Sequence, residues 1–322
     1  MNLQELDLSK TINDDQVYDC IITNYSKLSK HWILHQWNWI NNLYAAFNDH
    51  YKYLIIISLV EKTLQFYDQV NIEYSYDEYY SKSYLEIGKF SITELCEKLR
   101  LPKETIRRKV LELEKEEVIK RSKKKLIIDR KAFNFIKPEN QIKFSSKYIY
   151  LVAECLKKEK IFQKKIDHVQ IEKVIKKKFT LCWRWFYRMQ IPLVINYKDI
   201  MKDITTFHIW GTICMNQVYN VSNLLDTVTL DHESASDIII RNNENESKGI
   251  SAMSISEMTN IPRATIIRKC KFLIKKDLVK VNNKKQFILT ASNFNKTLPY
   301  QKNAFKDKSK FIRKILNLLV IL

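Results

Sequence analysis

Apolar residues recur every three or four positions along much of the chain, a spacing that places them on one face of a helix. Two long segments with this spacing, 49–69 and 198–220, predict helices. The lysine-rich segment 157–178 has the same spacing, and we interpret it as a helical connector. The pattern therefore indicates a mainly helical protein.

The small number of turn-forming residues agrees with this interpretation. The chain contains only 3 Gly and 5 Pro. All-β folds with many tight turns and glycine-cradled nucleotide folds need more of these residues, so neither class fits. The polar segments 74–82 and 241–248 predict loops, and 311–322 predicts a short amphipathic C-terminal helix.

The chain also contains an internal repeat. The segment from Ser91 to Val110 aligns without a gap on the segment from Ser251 to Cys270, at a constant offset of 160 residues. Identical pairs are Ser91/Ser251, Glu97/Glu257, Pro102/Pro262, Thr105/Thr265, Ile106/Ile266, Arg108/Arg268 and Lys109/Lys269, and the match continues through Lys120/Lys280, Lys124/Lys284 and Lys125/Lys285. So long a match indicates duplication of one structural unit.

Each copy of the repeat predicts a short helix, a turn and a second helix. In the first copy Ser91 is placed to cap the short helix, with Glu94 as its capping-box partner. Pro102 then ends that helix, because proline disfavours α geometry in the residue before it. The same proline suits a first-turn position of the next helix.

The second helix of each copy has an apolar and a basic face. Its inward stripe consists of Ile106, Val110 and Leu113 in the first copy and of Ile266, Cys270 and Leu273 in the second. At ~100° per residue, Arg108 and Lys115 lie roughly opposite this stripe, with Arg107 on its flank. The corresponding cations of the second copy are Arg263, Arg268, Lys271 and Lys275.

Two short apolar segments after the second helix predict a hairpin in each copy. The strands cover 118–121 and 126–129 in the first copy, and 278–281 and 286–290 in the second. Lysines occupy both hairpin tips, and Asn in the second tip tolerates the positive φ that a tight turn needs.

This succession of elements resembles the winged helix-turn-helix of bacterial transcription regulators. Residues 101–109 and 261–269 carry the resemblance. It implies two tandem winged helix-turn-helix domains, mainly α with α+β character in the small wings, joined by a helical connector. Such regulators usually have Gly between the second helix and the wing, where this chain has Glu117-Val118 and Asp277-Leu278.

In that family the second helix enters the major groove and the hairpin contacts the backbone or the adjacent minor groove. The resemblance therefore implies base-reading roles for Arg107, Arg108 and Arg268. Implied phosphate contacts come from Thr105, Lys109, Thr265 and Lys269 on the helices and from Arg121, Lys123, Lys124, Lys284 and Lys285 on the wings. The remaining predicted DNA-binding residues are Lys103, Lys115, Lys125, Arg263, Lys271 and Lys275.

The repeat divides the chain into consecutive domains. Residues 1–140 hold N-terminal helices and the first winged helix-turn-helix, with its core at about 49–135. The basic and aromatic connector covers 141–197, the second winged helix-turn-helix 198–300, and an amphipathic tail 301–322.

Net charge bears on the partner. Lys and Arg number 55 against 36 Asp and Glu, which gives a net charge of +19 and a pI of about 9.5. An AT-biased coding sequence would also enrich Lys, so the placement of the cations must decide. Two basic helices on one chain favour double-stranded DNA, because phosphate neutralisation and doubled valency both raise affinity.

We therefore expect a sequence-specific DNA-binding transcription regulator whose two recognition helices act as a pseudo-dimer. A plasmid-type replication initiator and a winged-helix protein-interaction scaffold without DNA binding are the alternatives. A small-molecule effector and a protein partner stay open, and a homodimer is compatible but not required.

The sequence predicts no enzyme, cofactor or metal site. Its adjacent carboxylates lack a His or nucleophile at instructive spacing. His31 and His35 are four residues apart but have no acidic or Cys partner nearby, so aromatic packing is favoured over metal binding. The aromatic segments 31–44 and 179–187 could line an effector pocket or stack on bases, and helix packing is the favoured interpretation.

Cysteine usage and hydropathy favour a cytoplasmic protein. The six cysteines form no C-x-x-C motif and no disulfide framework. The apolar runs 53–60 and 315–322 are too short for a bilayer, which needs ~20 residues.

Overall fold

The computed structural model describes residues 11–122, 125–244 and 248–322. The fold is mainly helical, with 72% helix and small antiparallel sheets besides. This confirms the predicted fold class at the level of secondary structure.

The described residues divide into two compact units, each built from separate stretches of chain. The terminal unit consists of the described parts of Met1–Asn38, Glu139–Lys173 and Thr206–Leu322. The central unit consists of Trp39–Pro138 and Val174–Thr205. The domains predicted from the sequence are consecutive ranges, because an apolar pattern shows where helices form and not which distant segments pack together.

The first nine helices in chain order are α1 (Asp14–Thr23), α2 (Tyr25–Ala45), α3 (His50–Gln69), α4 (Tyr76–Ser81), α5 (Ile92–Leu99), α6 (Lys103–Lys115), α7 (Glu139–Lys158), α8 (His168–Lys177) and α9 (Phe179–Met201). They are followed by α10 (Ile204–Asn220), α11 (Ser222–Thr227), α12 (His232–Glu244), α13 (Ala252–Thr259), α14 (Arg263–Lys275) and α15 (Ala291–Ile321). The strands are β1 (Tyr84–Ile87), β2 (Ile119–Ser122), β3 (Lys125–Asp129), β4 (Val279–Val281) and β5 (Phe287–Leu289).

Helix α3 organises the central unit. Its N-cap Asp49 accepts hydrogen bonds from the backbone N–H groups of Tyr51 (2.8 Å) and Lys52 (3.3 Å), and an apolar run interrupted only by Ser58 follows from Leu54 to Leu59. That run is buried because α3 packs against α9, α5, α6 and β1. The prediction of a helix over 49–69 is confirmed.

A three-stranded antiparallel sheet completes the central unit. The strand order is β1-β3-β2, with β3 in the middle. Ile128 of β3 pairs with Leu85 of β1 on one side and with Ile119 of β2 on the other. All three side chains are buried, so the sheet covers the apolar side of the adjacent helices.

The terminal unit contains the second repeat. Helix α1 packs against α15 and α7, and α13 packs against α14. Strands β4 and β5 form a two-stranded antiparallel sheet, which Ile250 extends by a single bridge to Phe287. The small sheets of both units are antiparallel, as the hairpin predictions require.

Several predicted elements have different boundaries. The segment 74–82, predicted as a loop, contains α4, because Ser75 and Glu78 form a capping box that starts a helix among polar residues. The loop predicted at 241–248 begins with the last residues of α12. The helix predicted over 198–220 is interrupted between α9 and α10, where Lys202 has a φ of 72°.

The basic connector and the C-terminal tail also differ from the predictions. The segment 157–178 is not one helix, since α7 ends at Lys158 and α8 begins at His168. The C-terminal helix is 31 residues long rather than short. It begins after the N-cap Thr290 and continues through Pro299, because buried residues such as Thr297 before the proline and Phe305 after it hold the helix on both sides.

Among the described helices, none combines the length and the apolar composition that crossing a bilayer requires.

Candidate functional site

The two copies of the repeat have closely matching helical geometry. Helices α5 and α13, and likewise α6 and α14, begin and end at positions 160 residues apart. Ser91 Oγ accepts a hydrogen bond from the N–H of Glu94 (3.0 Å), and Ser251 Oγ accepts one from the N–H of Ser254 (3.0 Å). Both serine caps are therefore real, and the duplication extends from sequence to local structure.

The turn between the two helices is also shared. Arg100 and Asn260 end the short helices with left-handed φ values of 48° and 58°. Pro102 and Pro262 follow as N-caps of α6 and α14, one position earlier than the predicted first turn. Proline is suited to this place because it donates no backbone hydrogen bond and fixes φ near the observed −57° and −55°.

The predicted inward stripe is buried in both copies. Ile106, Val110 and Leu113 of α6 are buried, and so are Ile266, Cys270 and Leu273 of α14. The opposite side of each helix is exposed, and we call these surfaces the first ridge and the second ridge. The first ridge consists of Glu104, Arg107, Arg108, Leu111 and Lys115, and the second ridge of Ala264, Ile267, Arg268, Lys271 and Lys275.

The residue between the second helix and the hairpin has a glycine-like backbone conformation in both copies, although it is not glycine. Glu117 and Asp277 have φ values of 59° and 52°, in the left-handed region that favours glycine. The N–H groups of the following Val118 and Leu278 donate to the carbonyls of Leu113 (2.9 Å) and Leu273 (3.0 Å), the bond that closes a Schellman motif. Both copies thus adopt the geometry of a glycine cap with an acidic residue in its place.

The first repeat neutralises many of its own cations. Lys109 Nζ lies 2.7 Å from Asp49 and 2.8 Å from Glu112, and its side chain is only 13% exposed. The hydrogen bond from Lys109 is the main reason why the pKa of Glu112 is lowered. Arg121 pairs with Glu114 at 3.1 Å. Lys109 and Arg121 would have to leave these carboxylates to bind phosphate.

The second repeat has far fewer carboxylates. Residues 103–117 carry five basic and five acidic side chains, whereas the equivalent residues 263–277 carry six basic and one acidic. That one acid, Asp277, lies 3.4 Å from Lys296 of α15. The second ridge and its flanks are therefore strongly cationic, and those of the first repeat are close to neutral.

The other helical site residues keep the same arrangement in both copies. Lys103 and Arg263 are exposed at the start of the second helices. Thr105, Thr265 and Lys269 are half-buried at the sides of the helices. The exposed cations Arg107, Arg108, Lys115, Arg268, Lys271 and Lys275 are brought together on the two ridges, as predicted from helical spacing.

The two hairpins differ by one residue. Ile119 pairs with Ile128 in the first, but the equivalent Val279 pairs with Leu289 in the second, one position beyond the offset of 160. Lys285 therefore does not occupy the position of Lys125, although the gapless alignment matches them.

The described hairpin tip depends on side-chain hydrogen bonds. Asn282 Oδ1 accepts from the backbone N–H groups of Lys284 (3.0 Å) and Gln286 (2.9 Å). The positive φ of this turn, 58°, falls on Lys285 and not on an asparagine. Lys284 and Lys285 are exposed, as a wing role requires. Lys123, Lys124 and the side chain of Lys125 lie outside the described residues.

Sequence reasoning missed the carboxylates that pair with the first repeat. The sequence does indicate one of these pairs, because Glu112 follows Lys109 by three residues and ion pairs form at this helical spacing. It also missed Lys52, which lies 2.5 Å from Glu116 and 3.2 Å from Glu112. That contact joins distant segments and has no local signal.

Of the two histidines considered for metal binding, His35 packs against an aromatic residue. His35 is buried, its ring lies 5.3 Å from that of Trp32, and its Nε2 lies 2.9 Å from Ser145 Oγ. Burial lowers the pKa of His35 to about 3, so the ring is neutral at physiological pH. Among the described residues no cluster of three His, Cys, Asp or Glu side chains could hold a metal ion.

Most of the predicted aromatic segments serve packing. Trp183 stacks on Phe179 and Phe186, with ring centroids 5.3 Å and 4.5 Å apart, inside the central unit. A groove of about 610 Å³ lies between α3, α5 and α9 of the same unit. Two of its lining residues, Lys98 and Glu61, form an ion pair at 2.7 Å. Among the described hydrogen bonds, none joins a nucleophilic side chain of this groove to a base.

Comparisons with protein-family models, with curated proteins and with solved structures found no significant match to this chain.

Proposed function

We propose that this protein is a non-enzymatic, sequence-specific DNA-binding regulator made of two tandem winged helix-turn-helix domains. The observation that carries the proposal is the pair of equivalent ridges, each an exposed helix face mounted on a buried apolar stripe. An α-helix fits the major groove of B-DNA, and exposed cations beside it neutralise phosphates.

Charge supports a leading role for the second repeat in affinity. Its ridge carries Arg268, Lys271 and Lys275, and none of these side chains takes part in an ion pair among the described residues. Release of counterions from DNA is favourable only for cations that are not already neutralised by protein carboxylates. The first repeat, with its internal ion pairs, then contributes mainly position and base contacts.

The test compares matched triple variants of the full chain. One replaces Arg268, Lys271 and Lys275 by Ala, and the other replaces the equivalent Arg108, Leu111 and Lys115 by Ala. Fluorescence anisotropy with a duplex selected from a random pool measures affinity over a salt series. The second-ridge variant should reduce the salt slope by up to ~2.7 and the first-ridge variant by no more than ~1.8, since they remove three and two cations.

A flat salt dependence of the unmodified chain, or wild-type affinity in both variants, contradicts the proposal. Absence of any duplex binding would favour the protein-interaction scaffold. The selected sites also separate the two DNA-binding alternatives: tandem repeats at a replication origin indicate an initiator, and a promoter site indicates a regulator. Circular dichroism confirms that each variant is folded.

A further inference from the structure

Equivalent positions on the two ridges carry unlike chemistry. Where the first ridge has Glu104 and Arg107, the second has Ala264 and Ile267. All four side chains are exposed, so no packing requirement fixes their identity. The difference therefore bears on what each ridge contacts rather than on how each helix folds.

The second ridge places apolar groups among cations. Ile267 is 37% exposed although it is a large hydrophobic residue, and it lies between Ala264 and Lys271 on the outward face of α14. Arg268 is its neighbour on the same face. An apolar patch framed by cations suits a surface that is both polyanionic and partly apolar.

The major groove of A·T pairs offers this combination. Thymine alone among the bases presents a C5-methyl group there, and it is recognised by apolar contact, while phosphates line both edges of the groove. The first ridge offers different contacts. Arginine donates to O6 and N7 of guanine, and glutamate accepts from N4 of cytosine, so Arg107 and Glu104 suit G·C pairs.

We propose that the two repeats read unlike base pairs: the second ridge selects A·T pairs through contact of Ala264 and Ile267 with thymine methyls, and the first selects G·C pairs. This inference rests on the proposed function. The preferred site is then asymmetric, with one A·T-rich part and one part that contains guanine, and not a palindrome of equal halves.

Base analogues test the methyl contact in the full chain. Replacing single thymines of the selected duplex by deoxyuridine deletes only the methyl group and keeps every hydrogen-bonding atom. At the contacted thymines the affinity should fall about threefold to fivefold per methyl, the factor expected for one buried methyl-sized group. Ile267→Ala should lower affinity for the thymine duplex similarly and should be insensitive to deoxyuridine at the same position.

Met253→Ala is the matched control, because Met253 is an exposed apolar residue of the same repeat that lies on α13 and off the ridge. It should leave affinity and the deoxyuridine effect unchanged. For the first ridge, 7-deazaguanine removes the N7 acceptor, and its effect should disappear in Arg107→Ala.

The outcomes separate the two proposals. If the chain binds duplexes with salt dependence but neither deoxyuridine nor Ile267→Ala changes affinity, the base assignment is wrong and the proposed function stands. A selected site with two identical halves also overturns the base assignment. If no duplex binds, both proposals are wrong.

Discussion

Lys308 is a buried lysine surrounded by aromatic rings in the terminal unit. It is 1% exposed, and its Nζ lies 4.1 Å from the ring centroid of Trp32, 4.4 Å from that of Phe305 and 5.1 Å from that of Tyr148. The hydrogen bonds and ion pairs described for this part of the chain give it no acceptor. Burial lowers the pKa of Lys308 well below its usual value.

Two opposing effects set the contribution of this lysine to stability. Burial of an ammonium group costs several kcal/mol after relaxation. A cation over an aromatic ring in a desolvated site recovers ~2 kcal/mol, which offsets only part of that cost, as the lowered pKa of Lys308 indicates. Methionine has a similar length, carries no charge and also packs well on aromatic rings. We therefore expect Lys308→Met to raise the free energy of unfolding at neutral pH by about 1–3 kcal/mol.

The pH dependence gives this prediction a definite sign. The pKa is lowered in the folded state, so between that value and the ordinary lysine value the unfolded state binds more protons. Stability of the unmodified chain should therefore rise with pH in this window, by up to ~1.4 kcal/mol per pH unit, and level off above the unfolded pKa. The Lys308→Met variant should lack this component.

Urea unfolding followed by circular dichroism, at about pH 6 and about pH 9, measures both effects. Lys306→Met is the control, because Lys306 lies two residues away on the same helix and is exposed. A Lys308→Met variant that is less stable than the parent, with an unchanged pH profile, would refute the reasoning. It would mean that the rings hold a charged lysine at a net gain.

Two further predictions concern helix ends. Glu117→Gly and Asp277→Gly should each raise the free energy of unfolding by about 0.5–1 kcal/mol in chemical denaturation, because glycine adopts their left-handed φ without strain, whereas Glu116→Gly should lower it. Lys198→Met should lower the free energy of unfolding by about 1–3 kcal/mol, because Lys198 Nζ donates to two backbone carbonyls at the C-terminal end of α5. The control is Lys177→Met, since Lys177 is exposed. Equal stability of the two variants would contradict a stabilising role of these hydrogen bonds.

Local signals accounted for most of the predicted repeat. Serine caps, the Leu-Pro break and the stripe through Ile106 and Ile266 all act within one or two helical turns, so the helices of both repeats were predictable. The left-handed position after the second helix was not predicted, because Glu117 and Asp277 stand where the resembled family usually has glycine and neither residue type signals a positive φ.

Contacts between distant segments account for the features that were not predicted. Lys109 meets Asp49 across 60 positions of sequence, and no periodicity reports that pairing. The continuation of α15 through Pro299 depends on burial of its flanks, which outweighs the bond that proline removes. The burial of Lys308 could not be predicted from its own helix, because its aromatic neighbours on α2 and α7 are more than a hundred residues away in the sequence.

The extra residue in the second hairpin limits which residues of the two copies can be treated as structurally equivalent. Side chains along a strand alternate between faces, so one inserted residue reverses the side to which each aligned partner points. Up to Val281 a substitution has its counterpart 160 positions away, but from Phe287 onward the counterpart lies 161 positions away. In the second strand of the hairpin, mutants paired by the gapless alignment alone would therefore compare side chains on opposite faces of the two sheets.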